Sequence, residues 1–212
     1  MAAENSNDNT TEKNHPAPPP DPTASIADPA PLGLAAFALT TFVLSVFNAG
    51  LLSSDLEPVV LPLALFYGGL AQFAAGMWEF RKANTFGALA FTSYGSFWLS
   101  FAAYVQFVVG DLGSDAATAT GLYLLAWGIF TAYMTVAATR VNVSVLAVFV
   151  ALTLTFFLLA IGDLAGSDAI AQTGGWVGIV TAILAWYGSF AGVTNFTYKR
   201  TVLPVGPLTP SS

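Results

Sequence analysis

The sequence predicts an all-α polytopic membrane protein, with six transmembrane helices forming three pseudo-repeated hairpins and both termini cytoplasmic. Three observations lead to that fold class. The chain is 55% hydrophobic and only 8% charged, whereas a soluble domain is about a quarter charged. Its apolar residues come in runs of roughly 18 to 22, the length that crosses a bilayer. Five of the six basic residues sit at three places, Arg81 with Lys82, Arg140, and Lys199 with Arg200, each at the end of every second apolar run. Lys and Arg stay on the cytoplasmic side of spanning helices, so this alternation predicts the orientation.

Taken in order, residues 1–27 are polar and rich in proline (Pro16, Pro18, Pro19, Pro20, Pro22). They are expected to be a disordered cytoplasmic tail without a signal peptide, because no apolar core segment is present. The only histidine, His15, lies in this stretch and is expected to be a solvated tail residue rather than a ligand. A six-helix channel domain is expected over 28–200 and a cytoplasmic C-terminal tail over 201–212. The predicted spans are 33–52, 59–80, 86–109, 121–139, 143–161 and 175–193. Acidic turns join spans one and two, three and four, and five and six, through Asp55 and Glu57, Asp111 and Asp115, and Asp163 and Asp168. Basic turns make the other two connections.

The hairpins repeat. Leu34-Ala35-Ala36-Phe37, Phe91-Thr92-Ser93-Tyr94 and Phe149-Val150-Ala151-Leu152 fall at matching depths in the odd-numbered spans, and their last residues are 57 and 58 positions apart. Asn84-Thr85-Phe86, Asn142-Val143-Ser144 and Asn195-Phe196-Thr197 recur after the even spans. Three such copies predict a pseudo-threefold bundle with the odd helices around a central path; internal repeats are common among transport proteins. Small residues (Gly68, Gly69, Ala75, Gly76, and Gly174, Gly175, Gly178 opening span six) mark where helices or subunits touch. Asn9-Thr10-Thr11 and Asn142-Val143-Ser144 match the glycosylation pattern but fall on the predicted cytoplasmic side.

Composition also excludes functions. Cysteine is absent, which removes disulfides, thiol nucleophiles and Cys-ligated metals. The formal charge of −6 is distributed rather than patched, so no nucleic-acid partner is expected. No histidine, cysteine or paired carboxylates lie within the spans to do chemistry, so no enzyme, cofactor or metal site is expected.

Asp28-Pro29-Ala30-Pro31-Leu32-Gly33-Leu34 resembles the N-P-x-P-L-G-L signature of the acetate uptake transporter family, which includes the bacterial acetate–succinate channel and yeast acetate permeases. Phe66-Tyr67-Gly68-Gly69-Leu70-Ala71-Gln72, the run from Gly76 to Trp98 and Thr201-Val202-Leu203-Pro204 resemble further stretches of that family, in the same order. Asp28 departs from the family's usual Asn, so a role needing an amide donor there does not carry over, although an Asp can still cap a helix that begins at Pro29. The resemblance implies six helices per protomer, a homohexamer in the plasma membrane with one pore in each subunit, and acetate, related small carboxylates and in some members succinate as cargo. It also implies an apolar constriction, which falls on Phe37, Tyr94 and Leu152.

No charge lies near the middle of any span; Glu79 sits at the cytoplasmic end beside Arg81. Since intramembrane ionisable residues mark proton relays, their absence favours a passive pore. Neutral donors are then expected to handle the carboxylate: Thr40, Thr41, Thr92, Ser93, Thr153 and Thr155, with Asn48 and Gln72 adding amides. An apolar ring gates by dewetting and limits cargo by its bore. Each assignment has a plainer alternative. The three constriction residues suit an ordinary core, helical Thr and Ser often bond their own backbone, and Asn48 suits a helix end. The Asp28–Leu34 motif suits a rigid helix entrance at the pore mouth.

The six acids on the outer turns repel an external anion, although salt screens such repulsion beyond about 8–10 Å. They fit entry of the protonated acid, or a cation as cargo. Alternatives to an acetate channel are therefore ammonium or ammonia transport, proton-coupled acetate symport, and a membrane scaffold that transports nothing.

Overall fold

A computed structural model describes residues 26–209; most of the N-terminal tail, with His15 and the Asn9 pattern, lies outside them. Helix α1 (Ala30–Asn48) begins earlier than predicted. Pro29 and Pro31 sit at its first turn, where missing N–H groups cost nothing. Asp28 Oδ1 accepts from Ala30 N at 3.1 Å, while the capping position itself falls on Pro29.

The second span was predicted as one helix over 59–80 and is instead composite. A 3-10 turn (Ser54–Val59) leads into α2 (Val60–Leu65), a π-helical turn (Phe66–Ala71) and α3 (Gln72–Arg81). The π turn carries Gly68, where an added Cβ would lie 2.6 Å from Thr40 Oγ1 of α1. The widened backbone occupies the space a side chain would need.

Helix α4 (Thr85–Phe107) and helix α5 (Ala116–Ala138) are joined by a 3-10 segment, Val109–Asp115. Helix α6 (Val143–Ala165) is followed by α7 (Asp168–Tyr198), whose 31 residues extend beyond the predicted 175–193 at both ends. Gly174, Gly175 and Gly178 therefore lie inside α7 rather than at its start, and Gly175 is pressed against the backbone of Asn48 and Ala49. Five of the six spans are long and apolar enough to cross a membrane. The exception is α4, whose Thr92, Ser93, Tyr94, Ser96, Ser100 and Tyr104 lower its hydropathy. Among the described residues the only pairing of strand type is a single bridge between Asn142 and Pro207.

The helices close into a ring in which α1 packs on α7 and on α3, α3 on α4, α5 on α6, and α6 on α7. Between α4 and α5 the backbones stay apart, and aromatic rings fill the gap: Phe97 on Trp127 at 5.2 Å and Tyr104 on Tyr123 at 5.8 Å between centroids. No Cα of α6 comes within 8 Å of one in α1 or α4. The space between these three helices is filled by side chains, and that is where Phe37, Tyr94 and Leu152 lie.

Arg81, Lys82, Arg140, Lys199 and Arg200 define a basic end of the bundle, and the acidic turns an acidic end. Two of the repeated asparagines cap helices at the basic end: Asn84 Oδ1 accepts from Gly87 N at 3.1 Å, and Asn142 Oδ1 from Val145 N at 2.8 Å. The third, Asn195, lies inside α7 and grips the chain that follows. Its Oδ1 accepts from Val202 N and Leu203 N, and its Nδ2 donates to Leu203 O. The segment after residue 200, predicted as a tail, is docked as far as Leu208, whose N–H donates to Val141 O at 3.2 Å. Val143 N and Ser144 N, otherwise unpaired at the start of α6, donate to Gly206 O and Val205 O at 2.8 and 3.1 Å.

Candidate functional site

Two cavities enter the bundle from opposite ends. The acidic-end cavity holds about 470 Å³ and the basic-end cavity about 320 Å³. Phe37 and Leu152 line both, so the two meet at these side chains. Tyr94 lines the basic-end cavity, with its ring centroid 5.8 Å from that of Phe37. Phe37, Tyr94 and Leu152 are only 5%, 3% and 4% exposed. The structure thus brings the three predicted constriction residues together at the junction of the cavities.

Five buried side-chain polar atoms among the described residues lack a hydrogen-bond partner: Thr41 Oγ1, Trp98 Nε1, Gln72 Oε1, Glu79 Oε1 and Ser144 Oγ. Thr41 and Trp98 line the acidic-end cavity; Gln72, Glu79 and Ser144 line the other. Buried polar groups are normally paired, so their convergence on the cavities identifies surfaces that need water or a polar solute.

The remaining predicted path residues divide. Asn48 and Thr155 line the acidic-end cavity, and Thr155 Oγ1 also donates to Ala151 O at 2.9 Å. Thr40, Thr92, Ser93 and Thr153 line neither cavity. Thr40 donates to Ala36 O, Thr92 to Ala88 O and Thr153 to Phe149 O, the local backbone bonding that helical threonines favour. Ser93 is half-buried. In the pore-mouth motif, Asp28, Ala30, Pro31 and Leu34 line the basic-end cavity. Pro29 is buried, Leu32 is exposed, and Gly33 leaves room for the Phe91 ring. Pro31 O accepts from Ser189 Oγ at 2.7 Å, which ties the motif to α7.

Glu79 lies at the basic end of α3, as its place in the sequence implies, but is not turned to solvent. It is 1% exposed and faces the basic-end cavity rather than Arg81, with Oε2 accepting from Asn84 Nδ2 at 2.9 Å. Asn84, Asn142 and Asn195 all line the same cavity. The sequence reading missed them as site residues, although their recurrence in the repeat was the signal that marked them. Glu57, Asp163 and Asp168 line the acidic-end cavity, and no Lys or Arg lines either one. Among the described residues, no group of acids or histidines is arranged to hold a metal ion.

Comparison with known proteins agrees with this architecture. Residues 11–210 match the GPR1/FUN34/yaaH family. The chain is 44% identical over 184 residues to the succinate-acetate/proton symporter SatP of Escherichia coli (strain K12), covering 85% of this chain and 96% of that one. It is 43% identical over 182 residues to ammonia transport outward protein 2 of Saccharomyces cerevisiae; this match covers 83% of the chain but only 64% of the longer yeast protein. A solved structure of the bacterial acetate channel SatP superposes with a TM-score of 0.79 at 43% identity, over 85% of this chain and 99% of that one. The chain is a multi-pass membrane protein of the GPR1/FUN34/yaaH family.

Proposed function

We propose that the protein is a plasma-membrane channel or transporter for acetate and related small carboxylates, succinate among them. Cargo passes between the two cavities through the apolar junction at Phe37, Tyr94 and Leu152. The observation that carries this reading is the meeting of the cavities at Phe37 and Leu152, with the unpartnered buried polar atoms turned into them. The names of the Escherichia coli relative and of the solved channel support acetate as cargo. Thr41, Asn48 and Thr155 serve the cargo in one cavity, and Gln72 and Ser144 in the other. Both termini and the basic end face the cytoplasm, by the charge rule, and protomers associate as a homo-oligomer, a hexamer by family resemblance. The protein performs no covalent chemistry.

The lining charges refine the cargo. With carboxylates in both cavities and no cation in either, an acetate anion is repelled along the whole path. The neutral acid is not. Passage as acetic acid moves a proton with each acetate, so a channel for the acid and a symporter produce the same net flux. The same carboxylates favour ammonium, and the yeast relative named for ammonia transport makes it the alternative cargo.

The test is flux of labelled acetate into liposomes containing the purified protein, at pH near 8 without an imposed gradient. Flux above empty liposomes, blocked by competing short carboxylates, is expected. No excess flux from folded protein would remove acetate conduction without a proton gradient, and ammonium flux would then decide the alternative.

A further inference from the structure

We infer that Thr131 is a positioning residue that sets the bore and polarity of the constriction by holding the Tyr94 hydroxyl out of the path. Tyr94 is the one polar side chain among the three at the junction, and its phenol has to be satisfied somewhere. Thr131, on α5, is fully buried and lines neither cavity. Its hydroxyl lies 2.9 Å from the Tyr94 hydroxyl and 2.7 Å from the Trp127 carbonyl oxygen. A threonine hydroxyl carries one proton. The Trp127 carbonyl can only accept, so the Thr131 proton goes there and the Tyr94 hydroxyl donates to Thr131 Oγ1. The phenol is thereby directed into the seam between α4 and α5, away from α1 and α6.

Packing holds only the ring. Phe37, Phe130, Phe149 and Trp127 surround it at 5.5 to 6.1 Å between centroids, contacts that a phenylalanine makes equally well. What satisfies the hydroxyl on the seam side, and so favours the side-chain rotamer that points it there, is Thr131. On the other side lies the basic-end cavity, with the unpartnered acceptors Gln72 Oε1 and Glu79 Oε1. Without Thr131 Oγ1 the phenol is buried and unpaired, and a swing of the whole Tyr94 side chain toward that cavity and its water restores its hydrogen bonds. A hydroxyl brought to the junction wets it, and an apolar ring that gates by dewetting then leaks. The seam suits this task because α4 and α5 stand apart and meet through side chains. Ser100 with Tyr123, at 2.7 Å, and Tyr104 with Thr120, at 2.8 Å, are anchored across it in the same way.

This inference rests on the constriction proposed above, and the experiment separates the two. Acetate and butyrate flux are measured in liposomes for the full chain and for Thr131→Val, Thr131→Ser, Tyr94→Phe and the double variant Thr131→Val/Tyr94→Phe. Thr131→Val, nearly isosteric, is expected to lower the acetate-to-butyrate ratio by about tenfold, the scale of discrimination an apolar pocket makes over a methylene or two. Thr131→Ser should keep the wild-type ratio. Tyr94→Phe sets the ratio for a ring without a hydroxyl, and adding Thr131→Val to it should change that ratio no further, because nothing is left to hydrate. An unchanged ratio in Thr131→Val overturns the inference, as does an equal lowering when Thr131→Val is added to Tyr94→Phe. If Thr131→Val yields no folded protein, Thr131→Ala with and without Tyr94→Phe is read in the same way. Failure of the constriction itself appears separately, as an unchanged ratio in Tyr94→Ala.

Discussion

The acidic-end cavity takes its polar lining mainly from helix bodies, whereas the basic-end cavity adds to its helical walls the turns at Asn84 and Asn142 and, from the docked C-terminal segment, Val205. In the first, Thr41 belongs to α1, Trp98 to α4 and Thr155 to α6. In the second, Asn84 and Asn142 cap α4 and α6, Asn195 grips residues 202 and 203, and Val205 closes the wall. The difference teaches where each end is vulnerable. The acidic end changes only if helices move, while the basic end depends on a few hydrogen bonds outside the helix ladders.

Perturbations of the junction and of each end should therefore differ in kind and in size. The largest effect is expected at the shared junction. Tyr94→Ala removes a ring packed among Phe37, Phe130 and Phe149 and should lower the acetate-to-butyrate flux ratio by at least about tenfold. An unchanged ratio would remove Tyr94 from the gate and leave the two cavities unconnected at that point.

Next comes the basic end. Asn195→Ala deletes three hydrogen bonds to the strand-like segment after residue 200. If docking is lost with them, the first N–H groups of α6 lose their acceptors as well. A loss of about 3 kcal/mol, at about 1 kcal/mol for each net hydrogen bond, corresponds to roughly 6–12 °C in the melting temperature of a chain this size. Thr41→Val at the acidic end should leave the melting temperature within about 1 °C, because it removes a hydroxyl with no partner. Equal shifts in the two variants would erase the distinction between the ends.

Electrostatic substitutions rank below these. Glu79→Gln keeps an oxygen for Asn84 while removing a buried negative charge from the basic-end cavity. Acetate flux at pH 8, where the anion dominates, should rise by about three- to tenfold as the path opens to the anion, as for a unit charge acting over ~10 Å at an effective dielectric of about 25–50, between a protein surface and bulk water. A fall in flux would mean that Glu79 serves the cargo rather than repelling its anion. The smallest effect is expected from Asp163→Asn with Asp168→Asn at the solvent-open acidic mouth. A change of no more than about twofold at low salt should vanish at 1 M, where the screening length is about 3 Å. An effect that survives salt would place those carboxylates in contact with the cargo.

The membrane fold was largely legible because lipid imposes it: apolar run length and the spacing of Arg81, Arg140 and Arg200 need no tertiary information. Helix ends were less so. The last span is predicted from 175, although Asp168 already begins α7, because Asp163 and Asp168 read as an acidic turn. The π turn at Phe66–Ala71 has no periodic signature, since it arises from the approach of Gly68 to α1. The repeat located Phe37, Tyr94 and Leu152 because repeated copies preserve depth. It could not say which hydroxyls face the cavities, since Thr40 and Thr41 are neighbours in sequence on different sides of one helix. The burial of Glu79 against Asn84 was illegible for a related reason: nearness to Arg81 in sequence does not say which way a side chain faces. Docking of the C-terminal segment was illegible, because the partner of Asn195 is backbone, which any sequence supplies.

The central claim is that two aqueous cavities meet at an apolar barrier, and the absence of cysteine from the chain makes a direct test clean. Single cysteines at Thr41 and at Ser144, on opposite sides of the junction, would be labelled with a membrane-impermeant thiol reagent from one face of oriented vesicles at a time. The account predicts that Thr41→Cys is modified only from the outside and Ser144→Cys only from the cytoplasmic face, with this sidedness lost in Tyr94→Ala. Modification of either cysteine from both faces in the otherwise unaltered protein, or of neither from any face, would contradict it.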